Sequence, residues 1–562
     1  MDTDDSNALV NLRNLAKQLR LKNLPEDKTV PIVMVPGFAG WGTPLFGAVN
    51  YWGGIENIPS LLVDRGYTVI VTPIGPISSN WERACELYRQ LTFGKFTFFN
   101  LQTEETNEIH DVDVDYGNYF NDSRIRPRTT TTKGRKRAIL FSKSQDKYKN
   151  WKWNEGNKVH FICHSQGGNT VRYLISLMSR GSADLHPEYF GTGGRDNWAI
   201  SVTTLGTPHN GTTIIDVLQN LFSGSTEAAI KLLARLFAAI SFQDPERRFY
   251  DLQLDHWDIG RTEINGKMET FQKMRERLES DHGPVSTWLE SNYNGFYDNS
   301  IEGVHDLHMK TIPTSKHVYY FSFSFHSTIP FPSRWPSWTI AAIDSFPIPL
   351  VDFICKVLYS IPFVNIGAWI ITRILDSFGN NVGWPILLSL ISVSDLTRWG
   401  TQNVANRLLR EIDYNVTLPP PGKYLPRKDV IPLMLPTVYA MGGQDLTPAQ
   451  KDILGPNLGD WYLNDGIVNT ESMRGPSDSI VRNISAFQTS RINSDDVRGI
   501  YWHFGVNNHM DHADEIGVFV EQDTAQSTTD MYINLAEIIS RLTPSSKLPE
   551  ADTISTGAQS HL

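Results

Sequence analysis

The stretch VHFICHSQGGNTVRYLISLM, residues 159–178, constrains this chain more than any other part of it. An apolar run ends at His164, Ser165, Gln166 and Gly167, and a segment with helical spacing follows at once. That pattern predicts a buried strand, a tight turn and a helix, with the Ser165 hydroxyl projecting from the turn and the helix N-terminus favouring negative charge beside it. The usual form is G-x-S-x-G, and here Cys163 takes the first place. Cysteine is small and readily buried, so a crowded turn accepts it.

Three other segments carry what acyl transfer at a serine requires. TVPIVMVPGFAGWG sets a β-branched run directly before Pro36, Gly37 and Phe38, where a loop after the first strand aims a backbone N–H at an oxyanion. The N–H of Gln166, the residue after the serine, is the second expected donor. Downstream, YLNDGIVNTESM offers Asp465 and NNHMDHADEIG offers His512, which completes the chain order Ser, Asp, His. In that order the histidine is general base toward the serine, and the aspartate holds the imidazole tautomer. His503 and His509 are rivals for the base, whereas His209 reads as a structural or cleft-wall histidine.

At these residues the chain resembles the bacillar and staphylococcal lipases, α/β-hydrolases acting on long-chain acylglycerols. The matching blocks are PGFAGWG (36–42), YWGG (51–54), GPISSNWERACE (75–86), HSQGGNT (164–170), SVTTLGTPHNGTT (201–213), LDHW (254–257) and NDGIVNTESM (464–473). The resemblance covers most of residues 28–320 and 430–545. It implies an α/β-hydrolase fold, a mostly parallel sheet with helices on both faces and a lid helix; the helical cap insertion expected in addition lies where the chain leaves the family pattern, between about 328 and 429. The resemblance also implies Ser165 as nucleophile, Asp465 as acid, His512 as base, and Phe38 and Gln166 as oxyanion donors. His512 is preferred to its rivals because DH followed by Ile516 and Gly517 matches the family. Phospholipase, thioesterase and acyltransferase activities use the same triad and remain open, as does, from another class, a lipid-binding protein without turnover.

Strands are expected near 30–35, 68–72, 159–163, 199–205, 318–325, 437–441 and 498–504, with helices between most of them. Because Ser165 and Asp465 lie 300 residues apart, one catalytic domain spans most of the 562-residue chain and the surplus is insertion. The organisation read is an amphipathic segment at 1–27, core at 28–327, an apolar insertion at 328–429, core again at 430–543, and a flexible tail at 544–562. A lid falls at about 218–243. Within it, TEAAIKLLARLFAAISF carries one polar stripe, Glu227, Lys231 and Arg235, and is otherwise apolar. It suits a movable cover over a cleft, with a buried core helix as the alternative. The insertion has no clean run of about twenty apolar residues, because Asp352, Lys356, Pro362 and Arg373 interrupt it. It is read as a cap over the acyl pocket or a segment dipping into one leaflet, against a helical addition with its own core.

A formal charge of −10 argues against a nucleic-acid partner. The partners expected are a lipid substrate and the lipid–water interface, with peripheral membrane or lipid-droplet contact. The basic run RIRPRTTTTKGRKR (124–137) is a solvated loop or a contact to anionic lipid. Three cysteines, Cys85, Cys163 and Cys355, make no disulfide framework, and the first residues lack the apolar core of a signal peptide, so a reducing, intracellular compartment is expected. The tripeptide Ser560-His561-Leu562 resembles a peroxisomal address read by an import receptor. No cofactor or metal is expected. The zinc site often found in the resembled family uses two aspartates and two histidines, and only Glu82 and Asp255 stand at its positions. Its calcium site is matched by Asp514, but Phe519 replaces the second acid.

Overall fold

The computed structural model describes residues 7–107, 138–330 and 424–545, apart from short breaks at 43, 46–47, 94–95, 102, 104, 182–186, 222–225, 245–247, 249, 428–429, 431–433, 519 and 521. The basic run, Cys355, the body of the insertion, Phe519 and the C-terminal tripeptide lie outside the described residues.

Four runs dominated by apolar, aromatic or β-branched residues make the middle of a sheet: β1 (Ile32–Val35), β6 (Val159–His164), β7 (Ala199–Leu205) and β10 (Tyr319–Phe325). All are buried throughout their length, as strands covered on both faces must be. Around them lie β2 (Val69–Val71), β3 (Thr97–Asn100), β4 (Glu105–Asn107), β5 (Ile139–Phe141), β13 (Val481–Asn483) and β14 (Tyr501–Asn507). Among the described residues these form a ten-stranded sheet of order β13-β14-β10-β7-β6-β1-β2-β5-β3-β4. It is parallel except where β2 meets β5 and β3 meets β4. Alternation along the strands divides the core. Val33, Val35, Phe161 and Cys163 face the helices Asn80–Phe93 and Gln166–Arg180, while Ile32, Met34 and Ile162 face the other layer.

That second layer includes the helix Ala8–Leu21, capped by the Asn7 side chain. Its Leu12, Leu15, Ala16 and Leu19 recur at helical spacing and are buried against β14 and the helix Gln522–Ile539. The amphipathic pattern of the N-terminal segment is thus used for packing on the sheet.

Two small antiparallel pairs complete the topology: β8 (Glu263–Ile264) with β9 (Lys267–Met268), and β11 (Thr328–Pro330) with β12 (Tyr424–Pro426). The second pair clamps together the two ends of the long insertion.

One expected strand is corrected. Residues 437–441 lie in the helix Leu435–Met441, with Pro436 in its first turn, where no N–H is needed, and Gly442 at its end. Ala440 and Met441 pack on Ile214 and Val217 of the helix Ile214–Leu221, and this tertiary contact outweighs the β propensity of Thr437, Val438 and Tyr439. The last expected strand, 498–504, begins three residues later at Tyr501, because Arg498 bonds to Asp495 and Gly499, at φ +69°, turns the chain first.

The segment TEAAIKLLARLFAAISF forms the helix Thr226–Ser241. Its Ala234, Phe237 and Ala238 are buried in the core, it packs on the helices Phe271–Glu279 and Pro284–Glu290, and Arg235 pairs with Glu279 at 3.0 Å. No helix among the described residues is long and apolar enough to cross a membrane.

Candidate active site

Strand β6 ends at His164, and the next residue, Ser165, has φ +54° and ψ −132°, a conformation that non-glycine residues rarely hold. Neighbouring elements hold it there. The Ser165 N–H donates to Leu205 O at 2.8 Å, and its carbonyl accepts from Gly168 N at 3.0 Å and Thr207 Oγ1 at 2.9 Å. Two glycines make the turn possible by close approach: a Cβ on Gly37 would lie 2.5 Å from Ser165 Cβ, and one on Gly168 would lie 2.2 Å from Thr207 Oγ1. Cys163 is fully buried in the core beneath the turn.

The loop after β1 runs beside this serine. Gly37 N donates to Tyr51 Oη and Ala39 N to Pro76 O, both at 2.8 Å, which leaves the Phe38 N–H between them as the loop's candidate donor. A fully buried guanidinium, Arg83, pins the loop by donating to Pro36 O and to Gly37 O, the latter at 3.3 Å. Burial draws the Arg83 pKa down to about 10. The Gln166 N–H is the first of its helix and has no intrahelical acceptor. Its side-chain amide donates to Ser78 O at 3.2 Å, which anchors the residue.

His512 meets Asp465 twice: the His512 N–H donates to Asp465 O at 3.0 Å, and Nδ1 lies 2.8 Å from Asp465 Oδ2. The other carboxylate oxygen accepts from Ile467 N at 2.9 Å and Val468 N at 2.7 Å. With Nδ1 committed, Nε2 is the nitrogen able to take a proton. Burial works to depress the His512 pKa, but the carboxylates of Asp465 and then Glu515 override it and hold it up at about 10. The rivals stand elsewhere. His503 Nε2 faces Ser324 Oγ at 2.9 Å, buried and held down at about 3, and His509 is exposed. His209 Nε2 faces Thr204 Oγ1 at 3.0 Å, a structural contact.

The residues at the two zinc positions are committed to protein partners. Glu82 Oε1 lies 2.5 Å from His256 Nε2 and accepts from Trp257 Nε1 at 2.9 Å, while Asp255 faces the Arg248 guanidinium at 3.3 Å. A fixed cation where a ligand set needs an open position does not fit zinc. Asp514 accepts the Asp511 N–H at 2.8 Å in a tight turn. Among the described residues, His164, His512 and Glu515 bring ligand atoms within 4.8 Å of one another, but His512 Nδ1 is spent on Asp465.

Several members of this site escaped the sequence reading. Arg83 lies inside a quoted block but has no motif role, and Tyr51, His164 and Glu515 meet only through the fold.

A mostly parallel sheet covered on both faces, with a strained serine on a strand-to-helix turn, defines the class: the fold is that of an α/β-hydrolase. The chain is similar to the staphylococcal-type lipases. Residues 135–331 match the family described as the lipase-like C-terminal domain. A lipase of Staphylococcus epidermidis is 30% identical over 330 residues, 56% of this chain and 40% of the relative. Lipase 1 of Staphylococcus aureus strain MRSA252 is 30% identical over 320 residues, 54% of this chain and 39% of the relative. The chain thus spans about two fifths of the length of these relatives. Among solved structures, the Staphylococcus hyicus lipase superposes with a TM-score of 0.54 at 21% identity, covering 92% of this chain and 97% of the other. EstA from Clostridium botulinum gives 0.53 at 21% identity, covering 95% and 98%.

Proposed function

We propose that this protein is a serine lipase or carboxylesterase that hydrolyses acylglycerol esters, long-chain triacylglycerols above all. The observation that carries the proposal is the His512–Asp465 pair, 2.8 Å apart, in the same fold as a serine held at φ +54°. Ser165 Oγ attacks the ester carbonyl and His512 Nε2 takes its proton. The tetrahedral oxyanion rests on the N–H groups of Phe38 and Gln166, and collapse expels the alcohol, which receives the proton from His512. Water activated by the same imidazole then releases the fatty acid.

The preference for long acyl chains is supported by the apolar cover on the Phe38 side. The Phe38 ring meets Phe296 at 5.1 Å, Phe296 meets Trp288 at 6.2 Å, and Trp288 meets Phe237 of the helix Thr226–Ser241 at 5.5 Å. This aromatic series suits a lid whose movement is felt at the oxyanion loop. The test is hydrolysis of a chain-length series of p-nitrophenyl esters and of emulsified triacylglycerols, with Ser165→Ala as control. Activity that rises with chain length and vanishes in the variant is expected. Equal inertness of both proteins would return the lipid-binding alternative to the front.

A further inference from the structure

Glu515 is fully buried, in the short helical turn Asp514–Ile516 just after His512. Its Oε1 lies 3.6 Å from His512 Nδ1 and its Oε2 lies 3.2 Å from His164 Nε2. Among the described residues neither oxygen has an aligned hydrogen bond, nor has His164 Nε2. A buried carboxyl left in that state costs stability unless its accepting capacity is needed. Room has been made for it. Gly206 faces the carboxyl at φ +55°, and a Cβ there would lie 2.1 Å from Oε2.

The chain of contacts continues to the oxyanion loop. His164 Nδ1 lies 2.7 Å from Tyr51 Oη, and that hydroxyl already accepts the Gly37 N–H. With the Tyr51 proton placed on Nδ1 and the His164 proton on Nε2, facing Glu515, the hydroxyl, both ring nitrogens and the carboxyl are all served, and this is the assignment that the contacts favour. One polar path runs Gly37, Tyr51, His164, Glu515, His512, Asp465. The triad order read from the sequence does not include its middle members.

We propose that Glu515 is a second acid of the His512 site, a positioning residue that stabilises the imidazolium formed when Ser165 is acylated and ties its charge to the oxyanion loop through His164 and Tyr51. The inference rests on the serine-hydrolase reading above. The groups facing Glu515 are His512, Asp465, His164 and Tyr51, with Tyr532 donating to its backbone carbonyl at 3.0 Å. Burial lifts the Glu515 carboxyl well above its ordinary range, the His512 imidazolium pulls it back and Asp465 lifts it further, so carboxyl and imidazole titrate as one unit.

The experiment is the pH dependence of Ser165 labelling by a fluorophosphonate in the full chain and in Glu515→Gln. Labelling requires neutral His512, and a neighbouring negative charge keeps the imidazole protonated to higher pH. Removing that charge is expected to move the rising limb about one pH unit toward acid and to lower the plateau rate about tenfold. A purely structural role would lower the plateau and leave the limb in place. Tyr51→Phe is the second variant, needed should Glu515→Gln fail to fold. It cuts the path beyond His164 and is expected to lower the plateau about threefold to tenfold. A limb in Glu515→Gln superimposable on the parent, or a Tyr51→Phe plateau equal to the parent's, overturns the inference and leaves the lipase reading standing. No labelling of the parent chain at any pH overturns both.

Discussion

Among the described residues, two buried clusters of histidine and carboxylate do opposite things with the same chemistry. In the helix Asn80–Phe93, Glu82 takes His256 and Trp257 on one oxygen and the Ser79 N–H and hydroxyl on the other, while Asp255 close by faces Arg248. Near Ser165, Asp465 is satisfied in the same way, but a second carboxyl, Glu515, has no aligned hydrogen bond to either oxygen among the described residues. A cluster whose carboxylates are saturated stabilises a fold. One with unused capacity beside a strained residue is equipped for proton transfer.

The widest separation of the two clusters is expected from their acids. Asp465→Asn should leave the protein folded and lower kcat/KM about 10⁴-fold, because the imidazole loses its tautomer. Glu82→Gln should do the reverse: it breaks a buried pair and costs about 3–5 kcal/mol of stability, read as a lowered urea midpoint, with activity per folded molecule close to the parent's. If both variants lost activity at full stability, the two clusters would not differ in kind.

The sequence and the structure agree best where local pattern and burial coincide. The central strands β1, β6, β7 and β10 are buried throughout because both faces are covered, and the apolar, aromatic and β-branched residues that dominate them made their positions readable. The Ser165 turn was legible because glycines are required where backbones nearly touch. The helix Leu435–Met441 was misread as a strand, since its partner, the helix Ile214–Leu221, lies more than two hundred residues away. Glu515 was illegible for the same reason: between His512 and Ile516 it looks like one more acid in an acidic turn, and only the approach of His164 marks it.

Two further histidines sharpen the contrast at smaller cost. His160 faces Ser201 Oγ at 2.8 Å and His503 faces Ser324 Oγ at 2.9 Å, and burial depresses both to about 3. Folded, they stay neutral, whereas unfolded they bind a proton near 6.5. Their contribution is therefore complete above about pH 6.5 and is lost as pH falls from there toward 3, at about 1.4 kcal/mol per pH unit for each. Thermal midpoints taken from pH 7 to pH 4 should fall, and His503→Gln should flatten that fall. Equal slopes in parent and variant would refute the burial argument for this residue.

Adduct mapping is the sharpest test of Ser165 as the nucleophile and His512 as its base. The protein is treated with a fluorophosphonate, digested, and the modified residue located by mass spectrometry, in the parent, His512→Ala and His503→Ala. A single adduct on Ser165 is expected, formed at least a thousandfold more slowly in His512→Ala and at the parent rate in folded His503→Ala. An adduct on another residue, or equal slowing by both histidine variants, would contradict that assignment.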